Sequence, residues 1–324
     1  MAEMADPMML KEPLNDARAW TASTVDEPAS WHYALNAESL TELDELDELD
    51  ELGLPDEPAG PVTDIRIGER LPACARCLQP ALDALEQTRG FIIIDRPSAS
   101  WSPQQQIAAY WMLGQVFGSP FEQDVAGTLL FDVHDTGRSV TEGARFSVTN
   151  AESSFHTDSA FNPSPPDYVG LLCLQTAKAG GESQLVSGLA VHDELLTHHP
   201  EVLRTLYNSF CFDRRGQFME GEPDVLENPV FTWDGQQMLL RYLHYYIEVG
   251  HEKARRPLDL DQREALDLVE VLVRKPELRV EFQLDRGQML ITNNRWILHN
   301  RTAFEDHAEP ENRRHYIRLW LRTE

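Results

Sequence analysis

Between residues 42 and 52 the chain repeats Glu-Leu-Asp every three positions. A three-residue period drifts around a 3.6-residue helix, so these leucines form a slanting stripe and not a stable face. The Gly/Pro-rich stretch 53–61 then ends the pattern. Residues 1–60 are therefore expected to form an acidic segment distinct from the body, 61–324. Past residue 62 the patterning becomes that of a packed domain. Residues 90–94 (Gly-Phe-Ile-Ile-Ile) form a continuous apolar run before Pro97 and predict a buried strand. Ser102 followed by Pro103 reads as an N-cap with proline at the first helical position, predicting a helix over 103–117. Strands are predicted over 128–133 and 168–174. Apolar residues at helical spacing predict a helix over 258–275, closed by Pro276.

The last third turns to period two. Residues 278–284 alternate, 285–287 (Asp-Arg-Gly) make a turn, and 288–292 and 315–321 are short strands. Many short strands with a few helices predict a mainly β fold, a jelly roll with peripheral helices, and fit a doubly wound parallel sheet poorly. No Gly-x-Gly-x-x-Gly and no P-loop is present, so nucleotide chemistry has no support.

Composition narrows the function. The formal charge of −26 repels phosphate backbones, which excludes nucleic acid as a partner. No apolar run reaches the roughly 20 residues that span a membrane. The amino terminus lacks the features of a signal or transit peptide, so a cytoplasmic location is expected. Of the four cysteines, Cys74 and Cys77 form a Cys-x-x-Cys. It lacks the second pair of a structural zinc site and a preceding strand, and is read as ordinary reduced thiols.

The chemistry-bearing residues are few. In His156-Thr157-Asp158 an extended backbone puts positions i and i+2 on one face, so both side chains can reach one ion. A second histidine with this pair would make the two-His, one-carboxylate face of non-haem Fe(II) oxygenases. His299 follows an apolar segment and an Asn-rich turn, in which Asn293 and Asn294 are expected to orient the backbone. Further on, Arg314, Tyr316 and Arg318 share one strand face. Two guanidiniums in a mostly apolar strand call for an anion, which a dicarboxylate would supply through paired hydrogen bonds.

His156-x-Asp158, the distant His299 and the Arg-x-x-x-Arg ending resemble the taurine dioxygenase/TfdA superfamily of Fe(II)/2-oxoglutarate-dependent dioxygenases, which includes γ-butyrobetaine hydroxylase and clavaminate synthase-like enzymes. The match covers roughly residues 90–321. Gly180-Gly181-Glu182-Ser183, after Pro165-Pro166 and a strand, resembles the family's Gly-Gly-acid-hydroxyl element. The resemblance implies a double-stranded β-helix with iron on His156, Asp158 and His299. It implies that Arg314 grips the distal carboxylate of 2-oxoglutarate, that Ser183 hydrogen-bonds it, and that Arg318 supports it or meets the substrate. 2-Oxoglutarate would become succinate and CO2 while O2 oxidises an unactivated C–H bond of a small polar or amino-acid-derived metabolite. Hydroxylation is the expected outcome, with desaturation or cyclisation as variants. Halogenases of the wider family lack the carboxylate that Asp158 retains, so halogenation is not expected.

Residues 241–248 are dense in aromatic and ionisable groups and are read as a wall or lid near the pocket, with Arg241 a candidate for a substrate carboxylate. Glu248-x-x-His251 lacks the second copy that a di-iron site requires. His192, His198, His199, His307 and His315 lack metal spacing. The rival readings are a catalytically silent jelly-roll metal-binding or sensor protein, and an acidic interaction protein acting through its repeat. Substrate identity and oligomeric state have no sequence signal.

Overall fold

The computed structural model describes residues 8–45 and 71–323. Its core is a double-stranded β-helix. The larger sheet runs, strand by strand, His32–Tyr33, Phe91–Ile94, Met289–Asn293, Tyr168–Gln175, His315–Arg322 and Ser119–Phe121, with Leu130–Val133 also pairing to His315–Arg322. Only the first pair is parallel. The smaller sheet is Arg279–Phe282, Ser183–Ser187 and Ile297–Arg301, all antiparallel. His156 extends it by an isolated antiparallel bridge to His299.

The larger sheet is buried on both faces, and its strand sequences show why. Phe91 and Ile93 point into the core between the sheets, while Ile92 and Ile94 point to a second core under the helices Pro72–Gln87 and Pro103–Gly114. A strand sealed on both sides needs a continuous apolar run, which residues 91–94 supply. His315–Arg322 is divided differently. Ile317, Leu319 and Leu321 enter the helix-side core, and Tyr316, Arg318 and Trp320 face inward. The predicted alternation is thus the alternation that builds the site.

The helices follow their capping signals. Ser102 and Gln105 form a capping box at Pro103–Gly114, which ends three residues short of the predicted 117. Asp259 and Gln262 do the same for Leu260–Val273. Cys74 and Cys77 lie in the first turns of Pro72–Gln87, where both thiols are free. The pair opens a helix with no strand directly before it among the described residues, and burial pushes the Cys74 thiol up to about 12 and leaves a poor nucleophile.

Residues 8–45 are not apart from the body. Trp20 and Trp31 are buried in the main core, and the Trp20 indole donates to the Arg89 carbonyl at 2.7 Å. Glu42, within the helix Ala37–Asp44, accepts from the Ala73 and Cys74 amides at 2.9 and 2.8 Å, capping the next helix with a carboxylate. The first residues of the Glu-Leu-Asp repeat thus pack against the body. The rest of the repeat and the boundary at residue 60 lie outside the described residues. No helix among the described residues is long and apolar enough to cross a membrane.

Candidate metal centre and cosubstrate pocket

The two histidines meet because their backbones are paired. The His156 amide donates to the His299 carbonyl at 3.0 Å and the His299 amide returns to His156 at 2.9 Å. In such a mutually bonded antiparallel pair both side chains project to one face. The ring centroids lie 4.2 Å apart. Asp158, two residues beyond His156, brings Oδ1 to 3.4 Å from His156 Nε2 and 3.8 Å from His299 Nε2. Among the described residues this trio forms the one group of metal-ligating side chains, its donor atoms all within 4.8 Å of one another.

His156 and Asp158 are held from behind, whereas His299 Nδ1 is buried with no hydrogen-bond partner among the described residues. His156 Nδ1 lies 2.8 Å from the Ser154 carbonyl. That contact fixes the Nδ1–H tautomer and leaves the Nε2 lone pair for an ion. Asn294 clamps the backbone of Asp158, accepting its amide at 2.8 Å and donating to its carbonyl at 3.1 Å, with a further bond to Pro166 at 3.0 Å. Asn293 donates to the Leu85 carbonyl at 3.0 Å. The Asn-rich turn therefore orients the site as expected, through named bonds. Asp158 Oδ2 accepts from the Trp320 indole at 2.7 Å, Arg318 Nη1 spans the carboxylate at 3.2 Å from Oδ2 and 3.4 Å from Oδ1, and Oδ1 faces the imidazoles. Arg318 also donates through Nε to Gln123 at 2.7 Å.

The electrostatics suit a cation. Burial alone would raise the Asp158 carboxyl, but Arg318 and the two histidines outweigh it and hold it well below the usual range. Burial, with His156 beside it, pushes His299 down to about 3. The pair is therefore a neutral imidazole beside an ionised carboxylate near neutral pH, the protonation state that a divalent ion requires. Two imidazoles and a carboxylate on one face suit ferrous iron, with three positions left open.

The same cavity, about 1160 Å³ including its open mouth, is lined by Ser183, Arg301, Arg314 and Arg318. Arg314 lies 3.9 Å from the Tyr316 ring centroid and 5.2 Å from that of Phe304. It is only 4% exposed, and Nε and Nη1 have no hydrogen-bond partner. Burial lowers its pKa. Gly181, at φ +79°, permits this packing, since a Cβ there would stand 3.3 Å from Arg314 Nε. Ser183 pairs in register with Arg301 and lines the cavity beside it.

Arg241 requires a correction. It lies outside the cavity lining, and its guanidinium donates to Asn162 O, Thr232 Oγ1 and Pro163 O at 3.3, 3.0 and 2.8 Å. It straps a loop to the hairpin Phe231–Trp233/Met238–Leu240, and aromatic density around it carried no information about direction. His251 and His192 are likewise internal. His251 accepts from the Cys211 amide at 3.1 Å, and His192 contacts the Tyr207 hydroxyl at 2.9 Å. Site residues that sequence reasoning missed include Trp320, Arg301, Gln123, Arg145, Arg215 and Tyr246. Trp320 and Arg301 stand two positions beyond Arg318 and His299 on the same strand faces, so period two was an available signal. Tyr246 was not singled out, but its segment 241–248 is the one expected to wall the pocket, and Leu243 and Tyr246 do line it. Gln123, Arg145 and Arg215 come from loops and carried no signal.

Residues 58–320 match the family model described as taurine catabolism dioxygenase TauD, TfdA family. Among characterised relatives, FR-33289 synthase of Streptomyces rubellomurinus is 27% identical over 98% of this chain and 92% of its own length. Among solved structures, an asparagine oxygenase with Fe(II), 3-hydroxyasparagine and succinate is 19% identical. It aligns at a TM-score of 0.65 over 90% of this chain and 94% of its own. The non-haem iron oxygenase OrfP, with iron and α-ketoglutaric acid, is 17% identical at a TM-score of 0.63 over the same shares.

Proposed function

The chain belongs to the TauD/TfdA family of 2-oxoglutarate-dependent non-haem iron dioxygenases, and from that premise we propose that it hydroxylates a C–H bond of a small polar metabolite, with His156, Asp158 and His299 holding the iron. Iron, 2-oxoglutarate and O2 together supply the oxidising chemistry, releasing succinate and CO2. The protein supplies binding, orientation and exclusion of water.

The observation that carries the reading is the convergence of two sites in one cavity. The His-Asp-His face turns three metal-ligating donors to one point, and Arg314 presents two buried N–H-bearing nitrogens without acceptors. Such donors are costly unless a partner meets them. The distal carboxylate of 2-oxoglutarate is the acceptor that fits, with Ser183 a second donor on the same wall. Arg318 belongs to the iron side, where it neutralises Asp158 and stays within the cavity to steady the cosubstrate or the substrate. Thr157 and Tyr242 lock the strand that presents both ligands. The Thr157 amide donates to Tyr242 O at 2.9 Å, and the Tyr242 amide to Thr157 Oγ1 at 3.1 Å.

The hydroxyasparagine held by the asparagine oxygenase makes hydroxylation of an amino-acid-derived molecule the first class to test. The free cysteines and the absence of a membrane-spanning helix among the described residues support a cytoplasmic setting. A screen of small polar metabolites for O2-dependent succinate release tests the proposal. Turnover should require added Fe(II) and fall to background in Asp158→Ala. Undiminished succinate formation in that variant would refute it.

A further inference from the structure

The protein carries a net charge of −26, yet its cavity is lined by five arginines and a single carboxylate, Asp158, among the described residues. Three of the arginines have duties in the reading above. Arg314 meets the cosubstrate, Arg318 pairs Asp158, and Arg301 stacks 4.7 Å from the Phe304 ring centroid beside Arg314. Arg145 and Arg215 remain, and both line the cavity, Arg145 sharing the Phe131 ring with Arg318. Arg215 lies 5.4 Å from the ring centroid of Tyr246, and the Tyr246 phenol feels both guanidiniums. The Arg145 guanidinium lies 5.7 Å from the Phe131 ring centroid and has no hydrogen-bond or ion-pair partner among the described residues. Arg215 donates to the Val140 and Ala144 carbonyls at 3.4 and 3.1 Å, and reaches Asp213 at 3.6 Å. Asp213 itself is shared with Lys253 at 2.6 Å, so it offsets Arg215 only in part.

Bound 2-oxoglutarate would balance a ferrous ion, and Asp158 offsets one guanidinium, so the loaded cavity keeps an excess of positive charge. No lining carboxylate is free to receive an ammonium group. Resting on the reading under Proposed function, we propose that Arg145, Arg215 and the Tyr246 hydroxyl form a subsite for a doubly charged tetrahedral oxyanion of the substrate, a phosphoryl or phosphonyl group. The three donors come from separate stretches: the 145 loop, the segment after Ser209–Asp213, and the helix His244–Lys253. Donors approaching from several directions suit a head with three oxygens, whereas one guanidinium fork already saturates a planar carboxylate. Burial and the like charge of Arg318 depress Arg145, which is the condition of a cation awaiting its anion.

The test is anaerobic calorimetry on the Fe(II)- and 2-oxoglutarate-loaded protein, titrated with methylphosphonate, methyl phosphate and acetate. Both tetrahedral anions should bind more tightly than acetate, and the tighter of the two identifies the source of the group. Arg145→Gln should weaken them by about ten- to a hundredfold, the worth of a hydrogen bond to a charged group. Arg145→Lys should recover part of the loss. Because the Arg145 side chain holds no other described residue by a hydrogen bond, 2-oxoglutarate affinity should be unchanged in both variants, which also verifies the fold. Equal binding of methylphosphonate by the wild type and Arg145→Gln, or acetate binding as tight as methylphosphonate, would overturn the subsite. Failure of the loaded protein to take up 2-oxoglutarate would instead sink the reading on which it rests.

Discussion

The two walls of the cavity are built on opposite principles. On the iron side His156 is engaged with Ser154, the Asp158 backbone with Asn294, and Asp158 Oδ2 with Trp320 and Arg318, and His299 Nδ1 alone of these ligands' outer atoms has no partner among the described residues. On the arginine side Arg314 keeps two buried donors with no acceptor, and the Arg145 guanidinium has no hydrogen-bond or ion-pair partner among the described residues. A preorganised ligand face positions an ion before it arrives. An unsatisfied guanidinium wall stores desolvation cost that only an incoming anion relieves. The difference supports the proposal that the resident ion belongs to one wall and the exchanging, negatively charged molecules to the other.

That contrast can be broken at several points. The largest effect is expected from His299→Ala. Removing one of three ligands should lower Fe(II) affinity by more than the roughly hundredfold that an outer hydrogen-bond partner commands, as measured by metal content after dialysis. Asn294→Ala leaves the ligands in place and frees the Asp158 backbone, so iron affinity should fall by about ten- to a hundredfold with the far-ultraviolet dichroism intact. A variant that binds iron normally would show that the clamp is ornamental to the site.

Arg314→Met should act in the opposite sense on the cosubstrate-free protein. It replaces a buried, unpaired cation with an apolar chain of similar length, and should stabilise the fold by about 1–4 kcal/mol in urea titration. Destabilisation would mean that Arg314 has a structural partner. The smallest effect concerns pH. The folded pKa of His299 lies near 3, below its ordinary value, so folding favours the neutral imidazole. Its contribution is complete above about pH 6.5 and is lost as the pH falls toward 3. Metal-free wild type should therefore lose thermal stability over that window more steeply than His299→Gln. Parallel curves would contradict the assignment.

How much of this was written in the chain follows from the same contrast. The strands of 91–94 and 315–322 and the capped helices were legible because period and caps are local signals. His156, Asp158, His299 and Arg314 were legible because a short motif and a strand face marked them. Gln123, which contacts Arg318 across a separation of 195 residues, was not, nor were Arg145 and Arg215 in irregular loops. Contacts of that kind exist only once the sheets have closed. Arg241 misled for the complementary reason: its residue type suited a substrate, but its direction is set by the Asn162–Pro163 carbonyls.

The most direct test of the two-wall account is an anaerobic titration of the Fe(II)-loaded protein with 2-oxoglutarate, followed by the visible charge-transfer absorption of the chelated ion. In the wild type the band should saturate. In Arg314→Met it should still form, but require about a hundredfold more 2-oxoglutarate, because the iron wall is intact and the anion wall has lost its principal donor. Equal affinity in the two proteins, or no band in the wild type, would contradict it.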